Sequence, residues 1–212
     1  RDRACISGEH MDIIREYVKN GGGLIASGRT SLYDETGQQR ADFGLRDMFG
    51  CSYTGIEKDT SLDCYQKIRN HHEILHQCEP ERTEVLMNEG RTLLCTECGS
   101  EGMTAVCTYI PMIFNQPPEF AWRANLDTEY PTVMAGEYGS GRVVYFANQT
   151  DKLCYTNGHE DFLNLYLGAC NWVMRGDAVI ETDAPESVHV VLTRKVSSPE
   201  ELVLSVVNTT SG

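Results

Sequence analysis

The 212-residue sequence predicts a mixed α/β domain followed by the start of an antiparallel β-domain. Three observations support this prediction. Segments with helical periodicity alternate with short apolar runs over most of the chain. Two apolar runs flank a glycine-rich turn at 139–141, and near residue 181 the pattern changes to strand-type alternation without an intervening helix. We therefore assign one domain to residues 1–180 and the beginning of a second to 181–212.

The first helix and the first strand lie on either side of three glycines. Ser7 has a side chain suited to an N-cap, and apolar residues recur at helical spacing from there to Val18. Glycines 21–23 then end the helix, and residues 24–27 (LIAS) are typical of a short buried strand. A phosphate-binding loop runs from strand through glycines to helix, so the opposite order here argues against one.

Most of the remaining elements also follow from periodicity. They are a short helix at 41–50 closed by Gly50, strands at 91–95 and 103–110, a β-hairpin at 132–147, an amphipathic helix at 161–176, and strands at 184–195 and 201–210. Two other segments lack such a pattern. Residues 51–90 are polar, so we expect a long irregular excursion with one strand near 64–68. Residues 148–160 are expected to form a loop.

Composition restricts the partners and the compartment. The net charge of −13, without a basic stripe, disfavours nucleic acid. No apolar run approaches the about 20 residues that cross a bilayer, so we expect no membrane partner. The nine cysteines are odd in number and scattered, which favours free thiols in the cytoplasm over a secreted disulfide framework. The chain starts at Arg1, so we expect it to be cut from a longer polypeptide, without the strand before the first helix.

Three stretches, taken together, resemble a known family. They are residues 17–50, 117–155 and 161–192, and their most specific segments are GGGLIASGRTSLYDE and EYGSGRVVYFA. They resemble the β-galactosidase trimerisation domain, which is the class I glutamine-amidotransferase-like middle domain of family 42 glycoside hydrolases and uncharacterised relatives. The resemblance is weak across 51–110.

The resemblance implies a fold and a role. The fold is a flavodoxin-like, doubly wound, mostly parallel sheet, and the role is subunit assembly and capping of an active site in carbohydrate metabolism. The implied partners are further copies in a homo-oligomer, with a trimer as the family form, a catalytic β/α barrel of the same polypeptide, and a carbohydrate substrate near the interface. The catalytic glutamates of such hydrolases belong to the barrel. We therefore expect no catalytic residue, no cofactor and no metal ion in this chain.

The turn after the first strand differs from that of true glutamine amidotransferases. Those enzymes carry a cysteine nucleophile there, whereas this chain has Gly28, Arg29, Thr30 and Ser31. We interpret the turn as a nucleophile position without a nucleophile. The predicted ligand or interface residues are Arg29, Thr30, Ser31, Asp34, Trp122 and His159.

Two other functions stay open at this point. Ser31 with His159 and Glu160 could form a self-contained hydrolase, although the turn lacks the G-x-S-x-G arrangement. Alternatively, the mouth near 28–31 could bind a small molecule, as open α/β sheets do at the carboxyl ends of their strands.

A zinc site is a third alternative. Cys95 and Cys98 form a C-x-x-C pair, with further cysteines and the histidines of 71–76 nearby in sequence. A structural zinc site needs a second close pair to complete the tetrahedron, and the sequence has none. An incidental pair of thiols at a strand end therefore agrees better with the spacing.

Overall fold

The computed structural model describes residues 3–60, 64–111, 128–176, 180, 182–185 and 187–209. The chain forms two compact units, Arg1–Gly176 and Asp177–Gly212. No helix in these described ranges is long and apolar enough to span a membrane.

The larger unit combines helices with a sheet and a separate two-stranded ribbon. Its described helices are α1 (Gly8–Lys19), α2 (Arg46–Phe49), a 3₁₀ helix (Glu73–Cys78), α3 (Thr150–Thr156) and α4 (Glu160–Val173). Its described strands are β1 (Gly23–Ser27), β2 (Cys51–Thr60), β3 (Tyr65–Ile68), β4 (Val85–Met87), β5 (Gly90–Glu97), β6 (Met103–Ile110), β7 (Pro131–Tyr138) and β8 (Gly141–Phe146). The predicted α/β class is thus confirmed.

The main sheet is mixed. Its strand order is β1-β8-β7-β6-β3-β4, and β2 and β5 form the separate ribbon. Among the described strands, only the β1–β8 pair is parallel, and the other neighbours in the sheet are antiparallel. The expectation of a mostly parallel sheet was therefore wrong for these strands. One physical reason is the two-residue connection between β7 and β8, which can join only antiparallel neighbours.

Successive side chains of β8 alternate between two apolar clusters, one on each face of the sheet. Val143 and Tyr145 belong to a cluster with side chains of α1 and α2, whereas Val144 and Phe146 belong to a cluster with the 3₁₀ helix and α4. Successive side chains of a strand point to opposite faces, so a strand covered on both faces is apolar throughout. This explains why β8 appears in the sequence as a continuous apolar run.

The helix start and the hairpin agree with the sequence prediction. Ser7 is the N-cap of α1, and its side chain accepts a hydrogen bond from the His10 N–H. At the hairpin turn, Gly139 has φ 62°. A Cβ built on Gly141 would lie 2.0 Å from the carbonyl oxygen of Val18. The second glycine is thus required because the hairpin packs directly against the end of α1.

Two predicted irregular segments are regular in the structure. Residues 51–60 form β2, which pairs with β5. The pattern was missed because only the start of β2 faces the core, as Cys51 is buried while most of the strand is partly or fully exposed. Residues 150–156 form α3, which starts where the Asn148 side chain accepts hydrogen bonds from the N–H and hydroxyl of Thr150.

Two apolar side chains of the helix predicted at 161–176 are exposed. Leu167 of α4 and Met174, the C-cap of this helix, retain 41% and 43% of their surface, so the buried face is narrower than the apolar composition of the segment indicated.

The smaller unit contains a β-hairpin in its described part. Strands β9 (Val188–Lys195) and β10 (Ser198–Asn208) pair antiparallel, as the alternation predicted. Leu204 lies opposite Leu192, and Val206 lies opposite Val190, so these four side chains share one face. Leu204 and Val206 are more than half exposed there.

We expect Gly141→Ala to lower the free energy of unfolding by about 2–4 kcal/mol, because the new methyl group meets the Val18 carbonyl and either the hairpin or α1 must shift. Urea denaturation measures this. Gly8→Ala is the matched control, since a Cβ there meets no atom within 4 Å and alanine favours the helix. Equal stability of Gly141→Ala and the parent chain would contradict the packing described.

Candidate functional site

The turn after β1 lies at the carboxyl edge of the parallel pair. β1 and β8 run in the same direction, so their carboxyl ends meet at one edge of the sheet. The Gly28 N–H donates to the carbonyl of Phe146 at 2.8 Å, and the Tyr145 hydroxyl donates to the carbonyl of Gly28 at 2.7 Å. Residues 28–31 are thus fixed at the edge where open α/β sheets bind ligands.

Ser31 is fully buried and has a left-handed backbone conformation. Its φ is 64°, which is rare for a residue other than glycine. Its hydroxyl oxygen accepts a hydrogen bond from the Leu45 N–H at 3.1 Å, its own N–H donates to the Arg3 carbonyl, and its carbonyl accepts from the Gly44 N–H. The polar groups of Ser31 therefore connect three segments of the chain.

Thr30 and Arg40 also connect the N-terminal segment to the turn after β1. The Thr30 hydroxyl donates to the Ser27 carbonyl at 2.6 Å and accepts from the Arg3 N–H. The guanidinium of Arg40 donates to the carbonyls of Ile6, Ser31 and Tyr33. Because these hydrogen bonds join the N-terminal segment to the turn, the polar groups of both side chains stabilise the fold.

Arg29 is paired with a residue of the ribbon. Its guanidinium donates two hydrogen bonds to the carboxylate of Glu57, at 2.6 and 2.5 Å, and the Arg91 guanidinium lies 3.6 Å from the same carboxylate. The hydrogen bond from Arg29 lowers the pKa of Glu57 below its ordinary value despite partial burial. The positive charge of Arg29, at the ligand-binding mouth predicted near residues 28–31, is thus neutralised by a carboxylate of the same chain.

The β2–β5 ribbon covers this edge of the sheet. Leu93 of β5 donates its N–H to the carbonyl of Ala147, directly after β8, while Glu57 of β2 holds Arg29, directly after β1. The ribbon is therefore attached to the carboxyl ends of both parallel strands. Thr30 and Ser31, which follow Arg29 in the turn, have 6% and 0% of their surface exposed.

Asp34 orders the loop that follows. Its carboxylate accepts hydrogen bonds from the N–H and hydroxyl of Thr36 and from the N–H of Gln38. These bonds, with the Thr36 hydroxyl contributing most, lower the pKa of Asp34. The residue keeps partial exposure, so a contact with a partner stays a prediction.

His159 lies at the start of α4. It is the N-cap of this helix, and its ring nitrogen Nδ1 accepts from the N–H of Asp161 at 3.2 Å. Its side chain is 45% exposed. In the described residues no hydrogen bond joins Ser31 to His159, and Glu160 is exposed in the first turn of α4. The sixth predicted residue, Trp122, lies outside the described residues.

Sequence reasoning missed two groups of polar residues at this edge. Glu57 escaped notice because it lies in a segment without a clear pattern. Asn88 and Asn148 are fully buried, and the Asn148 amide donates to the Asn88 side-chain oxygen at 2.8 Å. The signal that could have identified Asn148 is its position directly after the apolar run of β8.

The cysteines of the proposed zinc alternative lie in different environments. Cys95 is fully buried, with its thiol directed at the Leu93 carbonyl, while the sulfur of Cys98 lies 3.2 Å from the Ser100 hydroxyl. Across the part of the chain that the structure describes, no three His, Cys, Asp or Glu side chains are grouped to hold a metal ion. The nine cysteines are free thiols.

Comparison with known proteins gives structural neighbours only. No protein-family model and no curated protein sequence matches the chain. Among solved structures, it is similar to Gan42B, a GH42 β-galactosidase from G. stearothermophilus, with a TM-score of 0.63 and 16% identity over 98% of this chain and 25% of that chain.

Two further neighbours give the same result. The β-galactosidase from Bacillus circulans sp. alkalophilus matches with a TM-score of 0.62 and 12% identity, over 90% of this chain and 24% of that chain. The α-L-fucosidase isoenzyme 2 from Paenibacillus thiaminolyticus matches with a TM-score of 0.60 and 15% identity, over 92% and 27%. The chain thus spans about a quarter of these enzymes, and at such identities the likeness establishes the fold alone.

We expect Glu57→Gln to lower the free energy of unfolding by about 1–3 kcal/mol, because Arg29 would lose its charge-assisted, two-bond partner in the ribbon. Glu79→Gln is the control, since Glu79 and Arg82 form an exposed pair whose loss costs about 0–1 kcal/mol. Urea denaturation at neutral pH measures both changes.

The same pair predicts a pH dependence. The folded-state pKa of Glu57 is lowered, so its stabilisation is fully present above the ordinary glutamate value of about 4.3 and is lost as pH falls through the folded-state pKa. The stability difference between Glu57→Gln and the parent chain should therefore shrink in acid. A difference that stays constant from neutral pH to pH about 3 would contradict the ion pair.

Proposed function

We propose that the chain is a non-catalytic assembly and active-site-capping domain of a glycoside hydrolase of the β-galactosidase type. The observation that carries the proposal is the coverage of the comparison with Gan42B, which includes 98% of this chain but only 25% of that β-galactosidase. In the family that the sequence resembles, a catalytic β/α barrel with two carboxylates precedes a domain of this kind. The reaction would take place in that barrel.

The turn after β1 supports a non-catalytic role. A serine nucleophile needs an accessible hydroxyl and a base within hydrogen-bond reach. The hydroxyl of Ser31 is buried and bonded to the Leu45 N–H, and the ring of His159 accepts from Asp161. This arrangement favours the domain role over a self-contained hydrolase. The ribbon above the turn also disfavours a small-molecule site there.

We assign the assembly role to exposed residues around the carboxyl edge of the sheet. We call this surface the rim, and it includes Ile56, Tyr155, Asp34 and His159. Ile56 is 46% exposed beside Glu57, and Tyr155 is 93% exposed on α3, the helix that follows β8. Exposed aromatic and aliphatic side chains of this kind supply much of the binding energy of protein interfaces. Asp34 and His159 retain exposed surface, so both are able to contact a barrel or a second copy.

Two finer statements belong to the same proposal. Helices on both faces of the sheet support descent from a flavodoxin-like, amidotransferase-like fold, with β1 and β8 as the parallel pair that persists. The apolar face formed by Leu192, Leu204 and Val206 supports residues 181–212 as the start of a C-terminal β-domain, because isolated two-stranded hairpins are marginally stable.

Hydrogen exchange of β9 and β10 should be fast in the 212-residue chain and protected when further strands are present.

The nine free thiols support a location in the cytoplasm.

Activity measurements test the catalytic part of this proposal. We expect the 212-residue chain to turn over neither esters, amides nor β-galactosides. Ser31→Ala should lower the free energy of unfolding by about 1–3 kcal/mol, since the buried Leu45 N–H loses its partner, without removing any activity. Turnover that is abolished in Ser31→Ala or His159→Ala would identify a hydrolase and overturn the proposal.

Light scattering tests the assembly part. We expect the polypeptide encoded by the complete gene to be a homo-oligomer, and Ile56→Ala with Tyr155→Ala to weaken association at least about tenfold, as loss of interface anchors does. Val196→Ala is the control, because Val196 is 96% exposed but belongs to the smaller unit. A monomeric parent polypeptide, or equal masses for all variants, would argue against the assembly role.

A further inference from the structure

The outer side of α3 is an unpartnered helix face in the described part of the larger unit. On the inner side, Leu153 is buried and the Cys154 thiol donates to the Phe162 carbonyl at 3.1 Å. Tyr155 lies on the outer side and is 93% exposed. A tyrosine ring with so little contact to its own chain is available to a partner protein.

Three carboxylates belong to the same surface as Tyr155. Asp151 precedes it by four residues and thus lies on the same side of α3. Glu89 accepts a hydrogen bond from the side-chain amide of Asn157, directly after α3. Glu160 is exposed in the first turn of α4, only five residues after Tyr155.

The potential of this surface is negative. Residues 150–161 contain the carboxylates of Asp151, Glu160 and Asp161 and only one lysine, Lys152. No basic side chain occupies the last turn of α3, where the helix dipole is negative, and Tyr155 lies in that turn. A basic partner surface is therefore attracted, and an acidic one is repelled.

The carboxylates are arranged as a surface and do not form a cation site. Within the described ranges, no three His, Cys, Asp or Glu side chains are grouped to hold a metal ion. Charges that are spread around an exposed ring suit contact with several groups of a protein surface.

Arginine is the side chain that fits this combination best. Its planar guanidinium stacks on the face of a tyrosine ring, while its N–H groups donate to carboxylates at the ring's edge. Tyrosine and arginine are also the residues that most often dominate the binding energy of interfaces. A purely apolar partner would leave the carboxylates without water and without counter-charges, which is unfavourable.

The same surface of a second copy does not meet these requirements. Contact of one α3 surface with another would bring Glu89, Asp151 and Glu160 of both copies together, and like charges in an interface are costly. The partner surface must therefore differ from the α3 surface.

We propose that the α3 part of the rim, formed by Glu89, Asp151, Tyr155 and Glu160, docks a basic surface of a neighbouring copy of the complete polypeptide, with an arginine stacked on Tyr155. The proposal rests on the assembly role proposed for the rim, and it adds the chemistry of the partner surface.

Light scattering of the polypeptide encoded by the complete gene, in about 50 mM and about 500 mM NaCl, tests the proposal. The rim variant is Glu89→Gln with Glu160→Gln, which removes two charges and keeps an oxygen that accepts the Asn157 hydrogen bond. The control is Glu9→Gln with Glu16→Gln on α1, which packs on the opposite face of the sheet from α4. Glu9 and Glu160 both lie in the first turn of a helix, so the two variants are matched in dipole effect.

We expect association of the parent polypeptide to weaken at least about tenfold between the two salt concentrations, because salt screens the attraction. At low salt, the rim variant should associate at least about tenfold more weakly than the parent, and the control should associate as the parent does. Tyr155→Phe keeps the ring, so Tyr155→Leu should associate about fivefold more weakly than Tyr155→Phe.

The outcomes separate this proposal from the assembly role itself. Association that does not depend on salt, or that is equally strong in the rim variant and the parent, would overturn the basic partner and leave the assembly role in place. A monomeric parent polypeptide would instead remove the assembly role, and the docking surface with it.

Discussion

The paired hydrogen bonds between Arg29 and Glu57 hold the β2–β5 ribbon at the carboxyl edge of the sheet, and the closure of that edge depends on this contact. Arg29 belongs to the turn after β1 and Glu57 to β2, so the pair joins two segments that are 28 residues apart in sequence. With Leu93 bonded to Ala147 after β8, both parallel strands end beneath the ribbon. An edge that is open in many α/β proteins is therefore used here for internal packing.

Ser31 shows how a strained turn can persist without catalysis. Left-handed backbone at a residue other than glycine is unfavourable, and such positions often mark active sites where the surrounding structure holds them. Here the holding groups are backbone N–H and carbonyl groups of the N-terminal segment and of residues 44–45. The strain is balanced by hydrogen bonds of the fold, which use the hydroxyl that a nucleophile would need.

Sequence reasoning succeeded where one local rule determines the structure. Ser7 was identifiable as an N-cap from its side chain, and the hairpin from its glycines, because each depends on nearby backbone geometry. It failed for β2, whose polar residues are specified by pairing with β5 about 40 residues later. It also failed for strand direction, because neither periodicity nor composition distinguishes parallel from antiparallel partners.

The same limit applies to the site. The turn at 28–31 was found because glycine and hydroxyl residues follow a buried strand, but its closure depends on Glu57, which no local signal connects to Arg29. In the part of the chain that the structure describes, helices pack on both faces of the sheet, and the ribbon is attached at the carboxyl ends of β1 and β8. The rim exposes the apolar side chains of Ile56 and Tyr155, which suit contact with another protein surface.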